Sequence, residues 1–211
     1  MKVKEEKVLK DPNSSEGNES IEKCDFSNLI SELTKIKNDG NALYKQTKIE
    51  EAKNKFLEGL EIFNKQSDLV NKERGNNDQC KEVLLLHKKI LSNTALCFYK
   101  QGKYKEAIEN DLKLISTHPK FGKSIVRLFN SYSKLNLIQQ SVFYGELFLE
   151  LEQEIRDKFK GTTKKVQDEK QKLKDIQEAE KRKIEKDFIK YGIPAFVLLL
   201  GILIFLLFRK K

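Results

Sequence analysis

The sequence predicts an all-α fold: three stacked helical hairpins, then a charged helical stalk, then one transmembrane helix. Three observations carry this expectation. Small residues recur at matched intervals, Gly40 and Ala52 in one stretch and Ala95 and Ala107 in the next, among apolar residues at helical spacing. Charges of both signs dominate residues 164–190. From Ile193 to Phe208 the chain is apolar apart from glycine and proline, and Arg209-Lys210-Lys211 follows.

The clearest hairpin runs from Asn93-Thr-Ala-Leu-Cys-Phe-Tyr99 to His118-Pro119. Leu91, Ala95 and Phe98 give its first helix an apolar stripe. Gly102 then supplies a residue that tolerates positive φ, as a helix end needs. Ala107 stands where the second helix must approach the first closely, and Pro119 cannot extend that helix. An earlier copy carries Gly40, Ala52 and Phe56. A later one opens at Arg127, with Ser141 at the small position and Tyr144 in the place of Phe56. Helical hairpins repeating at about 34 residues resemble tetratricopeptide repeats, and three are the minimum that stack stably. The expected domain is 27–160, with repeats at about 33–66, 88–121 and 122–155.

Around this domain the chain is read in order. Residues 1–26 hold too little apolar surface to offset chain entropy and are expected to form a disordered arm. Helix one begins at Ser27, a suitable N-cap, and ends near Thr47; its partner spans about Ile49 to Asn64. The polar run 65–80 reads as an enlarged connection, and the third helix covers about Lys81 to Lys100. A helix from Ile138 continues toward Phe159, and Gly161 interrupts it. Residues 161–190 form the stalk, expected to be a solvated helix laced with i, i+4 ion pairs and about 40 Å long. Residues 191–208 are long and apolar enough for a transmembrane tail anchor, with Lys186, Lys190 and the basic tail 209–211 at the headgroups. This predicts a single-pass protein with its N-terminal region in the cytosol, in the endoplasmic reticulum or mitochondrial outer membrane, and the lipid bilayer as a partner.

Composition narrows the function. The chain has 211 residues, 35% charged, with a net charge of +9, which favours anionic partners. No nucleic-acid module is recognisable, so nucleic acid is not expected among them. Cys24, Cys80 and Cys97 lack metal or redox spacing and suggest reduced thiols. The first residues contain no apolar run, so no signal peptide is expected, and the sequons at Asn13 and Asn18 are expected to stay unmodified. His87 and His118 have no triad companion, and neither a phosphate-cradling glycine loop nor a metal-ligand cluster is present. The expectation is a protein that is not an enzyme and takes no cofactor or metal.

The informative residues are polar ones on the first helix of each hairpin. Lys37 and Asn41 are i, i+4 and share a face, as do Lys123 and Arg127, and Asn93 lies on the helix between. Stacked side by side, these helices converge cations and amides on one groove, which suits carboxylate recognition. Arg can also bind a carboxylate bidentately. The motifs are Lys37-Asn-Asp-Gly40-Asn41, Ser92-Asn93 through Tyr99, and Gly122-Lys123-Ser-Ile-Val-Arg127. This constellation resembles the carboxylate clamp of tetratricopeptide co-chaperones, which bind the C-terminal Glu-Glu-Val-Asp tails of the seventy- and ninety-kilodalton heat-shock chaperones. The resemblance implies that Lys37, Asn41 and Asn93 hold the terminal carboxylate, while Lys123 and Arg127 take acidic side chains and peptide carbonyls. The architecture is similar to the repeat region of membrane-anchored immunophilins without the isomerase domain, for which 1–26 leaves no room. Phe129 departs from the pattern, standing where the third repeat usually has a small residue. The alternatives are an organelle scaffold of the mitochondrial-fission type, which needs no clamp cations, and a preprotein import receptor that binds through apolar groove residues.

Overall fold

The computed structural model describes residues 25–74, 77–187, 189–190 and 199–200. Its elements are α1 (Ser27–Lys45), α2 (Ile49–Lys72), α3 (Asp78–Lys100), α4 (Tyr104–Thr117), α5 (Gly122–Lys134), α6 (Ile138–Leu149), α7 (Gln153–Asp157) and α8 (Thr162–Asp187). Consecutive helices pack as three antiparallel hairpins, α1–α2, α3–α4 and α5–α6, with α1 against α3 and α3 against α5.

The three hairpin turns are built alike. Thr47, Gly102 and Asn136 each adopt positive φ, at 63°, 73° and 58°. In each turn the next residue's N–H reaches back over the helix end: Lys48 to the Leu43 carbonyl at 3.1 Å, Lys103 to Phe98 at 3.0 Å and Leu137 to Tyr132 at 2.9 Å. These bonds satisfy carbonyls that the helix end would leave open. Only the middle turn carries the glycine that announces it.

The size pattern inside the hairpins explains the core. Phe56 lies sixteen residues after Gly40 and is 1% exposed. A Cβ on Gly40 would stand 2.8 Å from Phe56 Cδ1, so the small residue is required by the ring. In the third hairpin the sizes are exchanged: Phe129 is buried, and the residue sixteen further on is Gly145, whose Cβ would stand 3.3 Å from Phe129 Cδ2. This corrects the expected register, since Gly145 rather than Tyr144 takes the place of Phe56. Tyr144 instead stacks on Tyr132, with ring centroids 5.4 Å apart.

Several boundaries differ from the sequence reading. Phe26 belongs to the core, 2% exposed, and its N–H donates to Gln79 Oε1 at 2.9 Å. Asp25, not Ser27, supplies the capping acceptor, receiving the Ser27 N–H at 2.9 Å and its hydroxyl at 2.6 Å. Residues 1–24 lie outside the described residues. The supposed connection 65–80 is mostly helix, because α2 continues to Lys72, where Val70 is fully buried beside Val83 and Cys80. The start of α8 is packed rather than solvated. Val166 is fully buried and touches Gly145, and Glu169 accepts from Ser133 Oγ at 2.9 Å. Further along α8 Leu173 is half-buried, and Ile176 and Ile184 are exposed, Ile184 by 68%.

The membrane expectation is corrected. No helix among the described residues is long and apolar enough to cross a membrane, so a transmembrane helix does not belong to the observed fold class, and the single-pass tail-anchored placement is not supported. Of the stretch 191–208, only Leu199 and Leu200 are described; the remainder lies outside the described residues.

Candidate functional site

α1, α3 and α5 lie side by side and carry the five candidate residues. Asn41 on α1 and Asn93 on α3 meet directly, Asn93 Nδ2 donating to Asn41 Oδ1 at 2.8 Å. Lys37 is one turn earlier on α1 and half-buried, and Lys123 at the start of α5 is exposed. Neither lysine has a hydrogen-bond or ion-pair partner among the described residues. Both cations therefore remain available to a ligand.

Arg127 is different. It is 8% exposed and forms a bidentate pair with the fully buried Asp111 on α4, Nε to Oδ2 at 2.7 Å and Nη2 to Oδ1 at 2.5 Å. Burial pushes the Asp111 carboxyl up from its ordinary value, and the guanidinium pulls it back. The pair fixes the plane of Arg127 and leaves Nη1 outside it. A cavity of about 280 Å³ opens beside it, lined by Leu96, Tyr99, Lys123, Val126 and Arg127 among others. Tyr44 and Tyr99 also feel the arginine: burial raises both phenols, and Arg127 opposes the rise. Cys97 lies in the same field, its thiol pushed up to about 11 by burial against the pull of Lys53 and Arg127, so it stays protonated.

Asp111 was not legible as a site residue by type alone. The signal was its register: sixteen residues after Ala95, it occupies the place of Phe56 and Gly145, where an unpartnered carboxylate is not tolerated. Such an acid requires a buried cation, and Arg127 is the one that reaches it.

His87 belongs elsewhere, stacked on Phe63 with centroids 3.8 Å apart. Burial, with a smaller contribution from His118, lowers its pKa from 6.5 to about 4. The folded state thus favours neutral imidazole, and the sign follows: its contribution is complete above pH 6.5 and is lost as pH falls through about 4. We expect stability to drop by about 3 kcal/mol or less over that window. Denaturant unfolding from pH 7.5 to 4 checks this, with His87→Leu expected to flatten the dependence.

No family model matches this chain, and no curated protein matches it. Among solved structures, the C-terminal TPR-containing domain of a Plasmodium falciparum FK506-binding protein aligns with a TM-score of 0.53 and 18% sequence identity, covering 68% of this chain and 93% of that one. At such identity the likeness concerns the backbone alone: the chain has a TPR-like, all-helical fold.

Proposed function

We propose that the chain is a non-catalytic peptide-binding protein, a co-chaperone or chaperone receptor whose α1–α3–α5 groove takes the C-terminal Glu-Glu-Val-Asp tail of a seventy- or ninety-kilodalton heat-shock chaperone. The observation that carries this reading is the amide pair. Asn41 and Asn93 join across α1 and α3 at 2.8 Å, with unpaired Lys37 one turn away, giving donors and charge for a terminal carboxylate. Lys123 and the Nη1 side of Arg127, at the neighbouring cavity, are placed to take an acidic side chain.

The test is titration of the full chain with a labelled peptide ending in Met-Glu-Glu-Val-Asp, beside the same peptide amidated at its C-terminus. The full chain is needed because ending at residue 160 would remove Val166 from the core. Affinity in the micromolar range is expected, with the amide much weaker. Lys123→Ala should cost about 1.5–3 kcal/mol of binding, the range for charge-assisted hydrogen bonds. Equal binding of acid and amide would overturn the clamp and favour a receptor that reads internal sequence. Absence of binding would favour a scaffold that uses no clamp.

A further inference from the structure

The residues between the first two hairpins build a second concavity. The extra turns at the end of α2 and the start of α3 help to wall a cavity of about 420 Å³, closed on its third side by α4. It lies across α3 from the groove above. Leu84, His87, Lys88 and Leu91 share one face, and Asn93, two residues past Leu91, points about 200° away from it.

The cavity's chemistry is one-sided. Its floor is apolar, with Leu60, Phe63 and Leu114, and its cations are Arg74, Lys88 and Lys113. None of its lining residues is acidic. None of the three cations is in an ion pair among the described residues, and Lys88 Nζ instead lies 4.7 Å from the centre of the Phe121 ring. A second cavity of about 290 Å³ shares Arg74, Leu84, Lys88 and His118 and continues to Leu85, an apolar side chain 48% exposed. The two together form an elongated groove. Burial holds His118 below its ordinary range, and Lys88 and Arg74 push it the same way, as expected where positive charge is concentrated.

The shape and the amides select among anions. The Phe63–His87 stack is already closed, at an interplanar angle of 12°, so it offers no slot for a nucleobase. Asn64 and Asn71 along the walls each offer a donor and an acceptor, the complement of a peptide main chain, and Asn110, whose Nδ2 donates to the Glu106 carbonyl at 2.8 Å, adds its Oδ1 as an acceptor. We propose that this groove binds an internal acidic peptide segment in extended form, seating one large apolar side chain over Leu60, Phe63 and Leu114 and its carboxylates on Arg74, Lys88 and Lys113. Such a ligand needs no free C-terminus, so this site stands independently of the clamp.

The experiment uses the full chain and a fluorescein-labelled peptide, Asp-Glu-Phe-Asp-Leu-Glu-Asp, amidated at its C-terminus. Comparison peptides replace the acids by their amides, or Phe and Leu by Gly. The groove variant is R74E/K88E, and the control variant K65E/K105E makes the same change of net charge at exposed positions. Circular dichroism checks folding, and Lys113→Glu on exposed α4 surface serves if the double variant melts early. We expect the groove variants to weaken binding at least about tenfold and the control less than about threefold. Both comparison peptides should bind much more weakly than the parent. The proposal is overturned if the parent peptide does not bind, if groove and control variants bind alike, or if the glycine peptide binds as well as the parent. Uptake of phosphatidylserine vesicles in place of the peptide would overturn it too, making the groove a membrane contact.

Discussion

Arg127→Ala is expected to destabilise the protein by about 3–5 kcal/mol at neutral pH, whether or not a peptide is bound. The reason is the carboxylate it leaves behind. Asp111 is fully buried, and both of its oxygens are held by Arg127. Without the guanidinium, burial is opposed only by the Ser124 hydroxyl, and the Asp111 pKa rises further above its ordinary value. A group whose folded pKa is raised contributes stability at low pH that is lost as pH rises through that pKa, so the deficit should shrink on acidification. Urea unfolding at pH 5 and pH 7.5 measures both parts. A loss below about 1 kcal/mol at pH 7.5, or one that grows on acidification, would refute the account.

The same pair separates stability from binding. Replacing a buried ion pair by apolar residues of similar volume is often neutral or stabilising. Asp111→Leu with Arg127→Met should therefore recover most of the stability lost in Arg127→Ala. If Arg127 also takes part in a carboxylate clamp, the recovered variant should still bind the Glu-Glu-Val-Asp peptide poorly. Arg127→Ala by itself is a weak probe of function, because any lost binding could reflect a damaged third hairpin.

Much of the fold was legible because the hairpin chemistry is local. Gly102, Ala107 and Pro119 mark a turn, a close approach and a stop within one short stretch. Spacing placed the five candidates on the first helix of each hairpin, and of these Asn41 and Asn93 meet directly. What escaped depends on contacts between distant residues. The end of α2 looked like a connection because Lys65, Gln66, Ser67 and Asp68 are polar, yet Val70 is fully buried in the same core cluster as Val83 and Cys80. The role of α8 rests on Thr162, Val166 and Glu169, a contact face of about two turns at the start of a highly charged helix. Thr47 gave no warning of positive φ, since the turn geometry overrides the preference of a β-branched residue, whereas Asn136 is a type that tolerates it.

The exchange of sizes between hairpins makes a last prediction, in which one substitution changes sign with its background. Gly40→Ala places a methyl group 2.8 Å from Phe56 Cδ1, inside ordinary contact distance, and overpacking of this kind costs about 1–3 kcal/mol. Phe56→Ala, at a residue 1% exposed, should cost about 3–5 kcal/mol through lost burial and the cavity left behind. The two effects should not add. With the ring gone, the methyl group of Gly40→Ala meets no obstacle and fills part of the space. Alanine is also favoured over glycine inside a helix by about 1 kcal/mol. In the Phe56→Ala background, Gly40→Ala should therefore be neutral or stabilising. A double-mutant cycle by denaturant unfolding measures the coupling, expected at about 1–3 kcal/mol. Additive losses would mean that Gly40 is small for a reason other than Phe56, and the exchange with Phe129 and Gly145 would be coincidence. If the coupling holds, the same cycle applies to the third hairpin, where a Cβ on Gly145 would stand 3.3 Å from Phe129 Cδ2 and 2.9 Å from Val166, so that α8 shares the space with the ring.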